Sequence, residues 1–305
     1  MRVPRISPRT YQWICVVTVA AVAIIIVTGG AVRLTGSGLG CDDWPKCTQN
    51  TFVGVSNYNQ QIEQVNRLFT GVVSVAVILA VLGSLVREPR RRDLVWWSLG
   101  LVAGIVAQIV LGGITVLSHL WPPFVMGHFI LSAILVWNAV VLHHRAGHPD
   151  SPGVAIVDRR VVVLSRLMVA AAAAVLVTGT VVTGTGPHGG DEKVARLPFF
   201  VEDVARIHSL TAWAFLGLSV GSIWLLHRGG ASRSANRRSM LLVGAILVQG
   251  AIGYTQYFLG VPPGLVIVHI AGSVVVWIAA LSFHLGLFAH PEIAPDVPRV
   301  TAAVG

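Results

Sequence analysis

Eight stretches of the chain, roughly residues 13–32, 64–86, 94–117, 124–143, 161–183, 205–227, 240–260 and 264–286, run apolar for about 20 residues with few charges among them. That is the length a helix needs to cross a hydrocarbon core of about 30 Å. Polar, Gly, Pro and charged positions gather in the links between. The pattern predicts an all-α membrane protein with eight transmembrane helices. The first run follows a basic N-terminus, the layout of a signal peptide, but it ends in Thr28-Gly29-Gly30-Ala31-Val32-Arg33 without a small-residue cleavage site and is read as the first span.

Composition agrees with the pattern. Of the 305 residues, 54% are hydrophobic and 11% charged, against about 25% charged in a soluble domain. The net charge of +9 would suggest nucleic acid in a soluble chain; in a membrane protein it is first sorted by side. Assigning the links alternately puts Arg2, Arg5, Arg9, Arg87, Arg90, Arg91, Arg92, Arg145, Arg159, Arg160, Arg166, Arg228, Arg233, Arg237, Arg238 and Arg299 on one side. Only Arg33, Lys46, Arg67, Lys193, Arg196 and Arg206 fall on the other. The positive-inside rule makes the first side cytoplasmic, with both termini inside and no nucleic-acid partner. The stretch Gly184-Thr185-Gly186-Pro187-His188-Gly189 matches the dinucleotide fingerprint formally, but it follows a membrane span rather than a strand and is set aside.

The chain repeats itself. Thr28, Gly29, Val32, Thr35 and Gly36 recur as Thr178, Gly179, Val182, Thr185 and Gly186. Leu101, Val102, Gln108 and Gly112 recur as Leu242, Val243, Gln249 and Gly253, and His128, Ser132 and His143 as His269, Ser273 and His284. Each unit holds an even number of spans, so the expected architecture is two tandem, same-orientation four-helix bundles, a design that commonly holds cofactors between facing helices. The predicted divisions are a cytoplasmic N-terminus (1–12), an N-terminal half (13–145), a cytoplasmic linker (146–160), a C-terminal half (161–288) and a cytoplasmic tail (289–305). The small-xxx-small pairs Gly100/Gly104 and Gly217/Gly221 permit close helix approach within one chain or between chains, so a homo-oligomer stays open.

Ionisable groups inside spans are costly and are candidates for function. His128, His208 and His269 each lie a few residues into an even-numbered span, at one depth near the external face; in the second span Asn66 takes the fourth slot. One histidine would be an ordinary hydrogen-bonded residue. Three at matched depth point to iron ligands, and a membrane haem takes one His from each of two facing helices, here His208 and His269. Zinc would need further ligands that do not converge there. His143, His144, His148, His227, His284 and His290 fall near cytoplasmic ends and read as interfacial. Arg67, Arg206 and Arg33 lie where a guanidinium could grip a haem propionate, or simply anchor helix ends. Glu63, three residues before Asn66 and on its face, is either a partly desolvated proton-transfer group or an exposed first-turn residue. Cys15 reads as a buried apolar residue. Cys41 and Cys47 share a short external link without histidine, where a disulfide is favoured.

Gly29-Gly30-Ala31-Val32-Arg33-Leu34-Thr35-Gly36-Ser37-Gly38-Leu39, then Cys41 and Asp43-Trp44-Pro45 to Cys47, resembles the signature loop of haem A synthases, and the Glu63 motif, the eight duplicated spans and the histidines on even spans are similar too. The resemblance implies oxidation of the C8 methyl of haem O to a formyl group in two successive steps. Haem O would come from a farnesyltransferase, and haem A would serve cytochrome oxidase assembly. It further implies haem b between His208 and His269, the substrate site at His128 and Glu63, and the external Cys41–Cys47 pair, with an unidentified electron donor and membrane lipid as surroundings. Competing readings are a di-haem or mono-haem cytochrome b in electron transfer, or a haem carrier. The family pattern has Glu, two residues, then His, where this chain has Asn66. Either an open position results, or His119, in the link before the fourth span, reaches in as substitute.

Overall fold

In the computed structural model, residues 5–230 and 233–291 are described, the side chains of Arg233 and Ser234 excepted; Arg2, Arg299 and the expected tail beyond residue 291 lie outside the described residues. The eight helices are α1 (Pro8–Leu34), α2 (Tyr58–Val86), α3 (Arg92–Leu117), α4 (Pro122–Ala146), α5 (Arg159–Thr185), α6 (Val201–Arg228), α7 (Arg233–Phe258) and α8 (Pro263–Leu285). All eight are long and apolar enough to cross a membrane.

Most helices overrun the predicted spans because polar caps and prolines, not hydropathy, set their ends. Ser7 accepts the N–H of Thr10 ahead of α1, Asn57 that of Gln60 ahead of α2, and Asp158 that of Arg160 ahead of α5. Proline, whose missing N–H costs nothing in a first turn, stands near the start of α1, α4 and α8. The longer α2 has a consequence for the site: it begins six residues before the predicted span, so Glu63 lies in its second turn.

Within each half the helices close a ring. Each packs on the next, and α1 on α4 or α5 on α8 completes it. The halves meet through α4 and α8, flanked by α1 against α8 and α4 against α5. Val136, Ala139, Trp277, Ala280 and Leu281 are buried in the core shared by these helices, and the Trp277 indole N–H donates across the seam to the Ala133 carbonyl at 2.9 Å. Outward faces stay apolar and exposed, as at Leu68, Val72, Trp96, Leu210 and Leu247. Of the small-residue pairs, Gly100 and Gly104 face Asn138 and Leu135 of α4, and Gly221 faces Leu164 of α5. These three approaches lie within the chain.

The links tie the halves together at both ends. At one end, which carries the α1–α2 and α5–α6 links, Gly38 N–H donates to the Gly190 carbonyl at 2.8 Å, and Leu120 touches both glycines. At the other, β1 (Val154–Ala155), between the halves, pairs antiparallel with β2 (Phe288–Ala289), after α8. The carboxyl ends of α1 and α5 therefore share one end of the molecule.

Replacing Trp277 by Phe keeps the packing and removes the cross-seam hydrogen bond, a loss of about 1 kcal/mol. The expected outcome is earlier thermal unfolding of the purified protein in detergent, with both halves still helical by circular dichroism.

Candidate functional site

The second half brings its two predicted ligands face to face. The rings of His208 on α6 and His269 on α8 are 6.4 Å apart between centroids, at 74° to each other. Two imidazoles on opposite sides of one metal, each bonded at about 2 Å, put their ring centres roughly 6 Å apart. Gly179 and Gly253 make room for these rings: a Cβ there would lie 3.1 Å from His208 Cε1 and 3.0 Å from His269 Cε1. Thr178 gives its hydroxyl hydrogen to the Ala174 carbonyl at 2.9 Å, so its oxygen accepts from His208 Nδ1–H at 3.1 Å. That leaves the lone pair on Nε2, the tautomer a metal ligand needs. Gln249 Nε2 donates to the His269 carbonyl at 2.8 Å and lies 3.0 Å from His269 Nδ1. The donor set and spacing fit a six-coordinate haem iron. Among the described residues no group of three or more His, Cys, Asp or Glu is arranged to hold a metal ion by itself.

The first half repeats this frame with one ring missing. Thr28, the counterpart of Thr178, donates to Asn66 Oδ1 at 2.8 Å, so Asn66 stands in the slot of His208. The amide is shorter than an imidazole, and a Cβ at Gly29, the counterpart of Gly179, would meet nothing within 4 Å. Opposite, His128 lies against Gly112 as His269 lies against Gly253. Gln108 Nε2 donates to the His128 carbonyl at 3.1 Å and to Ser132 Oγ at 2.6 Å, and His128 Nδ1 is buried with no partner. His119 is exposed in the α3–α4 link, in a left-handed backbone conformation with φ of 52°.

Glu63 is desolvated, as one of the two readings expected, and not an exposed first-turn residue. It is 5% exposed and wholly engaged: Oε2 accepts the Cys41 N–H at 2.8 Å, while Oε1 accepts from Arg67 Nε at 3.0 Å and from a terminal nitrogen of Arg67 at 2.6 Å. Arg67 gives two more hydrogens to the carbonyls of Lys46 and Asp43, at 3.1 and 3.2 Å. In this geometry both residues latch the α1–α2 link onto α2. The Cys41–Cys47 disulfide is formed inside that link, and Trp44 lies over Gly113, next to the glycine that faces His128. The link thus roofs the first half.

Arg206 is exposed and pairs only with Asp203, at 3.5 Å. Arg33, already a candidate, is joined by Arg196 of the other half, which the sequence reading missed; the two repel each other, and neither has an acidic partner among the described residues. Burial pushes the Arg196 guanidinium below its ordinary range. Cys15 is buried and free. Of the interfacial histidines, His148, His284 and His290 find hydrogen-bond partners, while His144 Nε2 is buried with none among the described residues. His284 Nδ1 lies 2.9 Å from Ser165 Oγ, and the rings of His144, His148 and His290 cluster at the β1–β2 end, His148 and His290 bonding the carbonyls of His144 and Ser151. His188 Nε2 bonds the Val261 carbonyl at 2.9 Å.

Thr28, Thr178, Gln108, Gln249 and the clearing glycines were not singled out as site residues, although all recur in the duplication. Positions retained between two halves with otherwise diverged sequences were the signal that could have found them.

A family model described as COX15-CtaA, cytochrome oxidase assembly protein, matches residues 12–61 and 53–281. Similar proteins named Heme A synthase occur in Oceanobacillus iheyensis, 27% identical over a stretch covering 32% of this chain and 32% of the relative. Two from Bradyrhizobium sp., strains ORS 278 and BTAi1, are 24% and 25% identical and align over 96% of this chain and 95% of theirs.

Glu63→Gln keeps the side chain's shape but strips Arg67 of its counter-charge and loosens the roof. Reduction of Cys41–Cys47 by a membrane-impermeant thiol should then accelerate about tenfold, the equivalent of one charge-assisted hydrogen bond, measured by labelling of the released thiols.

Proposed function

Because the chain belongs to the COX15-CtaA family of cytochrome oxidase assembly proteins, we propose that it is an oxidoreductase of haem, a haem A synthase that oxidises the C8 methyl of haem O to a formyl group in two successive steps. The observation that carries this reading is the asymmetry between the repeats: one half holds a ring pair 6.4 Å apart, the other the same frame with Asn66 in place of one ring. A di-haem electron-transfer cytochrome would want a complete pair in both.

In this reading His208 and His269 hold haem b, and Thr178 fixes the tautomer of the first ligand. A haem held there would supply single-electron storage. The substrate haem lies in the first half with His128 as its one imidazole. Asn66 faces it across the frame; with Oδ1 taken by Thr28, the amide nitrogen is the group left to donate a hydrogen bond. The disulfide link, held by Glu63 and Arg67, covers this half and excludes water from the reacting methyl, so Glu63 acts as a positioning residue. Arg33 and Arg196, cations without acidic partners, suit the propionates better than Arg67 or Arg206. The basic links, on the side away from this roof, put both termini in the cytoplasm.

Expression in a host that makes haem O but no haem A tests the reaction: haem A should appear among the extracted pigments, and its absence from a folded, haem-loaded preparation would remove the proposal. His208→Ala and His269→Ala should each abolish the low-spin b spectrum. Asn66→His has space for its ring beside Gly29 and should yield a second low-spin, bis-histidine signal when substrate haem is supplied, whereas His119→Ala should leave the first-half spectrum unchanged.

A further inference from the structure

A polar trio faces the lipid between α6 and α7. Ser209 Oγ lies 2.6 Å from Tyr254 Oη, and the Trp213 indole N–H donates to the same Oη at 3.0 Å. Other membrane serines here, Ser74, Ser132, Ser219 and Ser273, donate to a carbonyl of their own helix. Ser209 instead turns across to the neighbouring helix. The two hydroxyls share one bond, and Tyr254 Oη also accepts the indole N–H, so whichever hydroxyl donates, one O–H hydrogen remains unspent. It has no acceptor among the described residues. The trio is open to the outside, Trp213 at 58% and Tyr254 at 44% exposure, amid the exposed apolar side chains of Leu210 and Phe258. One turn further in, Gly217 on α6 and Gly250 on α7 leave open space where a Cβ would stand. Ser209 follows His208 in sequence, and Tyr254 follows Gly253, the glycine against His269.

We infer that this polar patch between α6 and α7 binds the ring of a membrane-dissolved quinol, the reductant for the haem that His208 and His269 would hold; the inference rests on that haem-binding reading. The spare hydroxyl hydrogen meets a ring oxygen, Trp213 and Tyr254 offer ring faces, and the apolar tail of the quinol remains in the lipid. A water-soluble protein donor has no access to a trio walled by lipid-facing side chains. Oxidation to the quinone releases two electrons and two protons: the electrons are accepted singly by ferric haem iron in two encounters, and the protons leave to water at the disulfide end, nearest the trio.

The full chain in lipid nanodiscs, loaded with haem b, is mixed anaerobically with a short-tailed quinol and haem reduction is followed by absorbance. A Ser209→Ala/Tyr254→Phe variant should slow that reduction about tenfold, while haem content and the dithionite-reduced spectrum stay as in the parent. An azido-quinone should photolabel the α6 and α7 segments around Ser209 and Tyr254, and excess unlabelled quinone should displace it. An unchanged rate, a label elsewhere, or a label that quinone does not displace, which marks the trio as a lipid-headgroup contact, would overturn the inference. A preparation that binds no haem b fails the ligand assignment instead, and displaceable photolabelling still reads the patch by itself.

Discussion

In hydrocarbon a peptide N–H or carbonyl has no solvent to fall back on, and an unpaired one costs several kcal/mol. That constraint shapes everything else in this chain. It makes each crossing a full helix with its backbone satisfied internally, leaves only side chains to join helix to helix, and makes any polar side chain conspicuous. Trp277 bonding across the α4–α8 seam and Thr178 bonding His208 show what the few polar groups do, one joining the halves and one holding a histidine ring.

The spans were legible because an apolar run of about 20 residues has few other meanings in a chain with so little charge. Their ends were not: Asn57 begins α2 among polar residues that hydropathy assigns to the link. That shift matters, since a Glu63 in the first turn would be exposed, whereas in the second it lies beneath the disulfide link. Which hydrogens Glu63 accepts depends on where residues 41–47 fold, a tertiary fact with no trace in local pattern. The facing of His208 and His269 and the place of Asn66 in the matching frame were readable from shared depth and the duplication; the grouping of Ser209, Trp213 and Tyr254 was not, because serine and aromatic residues are ordinary in membrane helices.

Duplication followed by divergence also explains how one frame supports two different environments. The threonine, glutamine and glycine positions around each slot persist in both halves, but a single change from ring to amide at Asn66 opens space beside Gly29 that is filled beside Gly179. The histidine frame supplies rigid placement; the residue at one slot decides whether the placement is closed or accessible. The roof over the first half adds a second distinction, since it is held by an ion pair and by backbone donors rather than by apolar packing alone.

The two-residue pairing of β1 with β2 sets an order of events during synthesis. Val154 and Ala155 leave the ribosome with half of the helices still unmade, and their partners Phe288 and Ala289 follow only after α8. That end of the seam therefore closes last, when the whole chain has been inserted. A nascent chain cut short anywhere within the second half exposes an unpaired edge beside His144 and His148, still without His290. Such an edge distinguishes an unfinished protein from a finished one to any quality-control machinery on that side of the membrane.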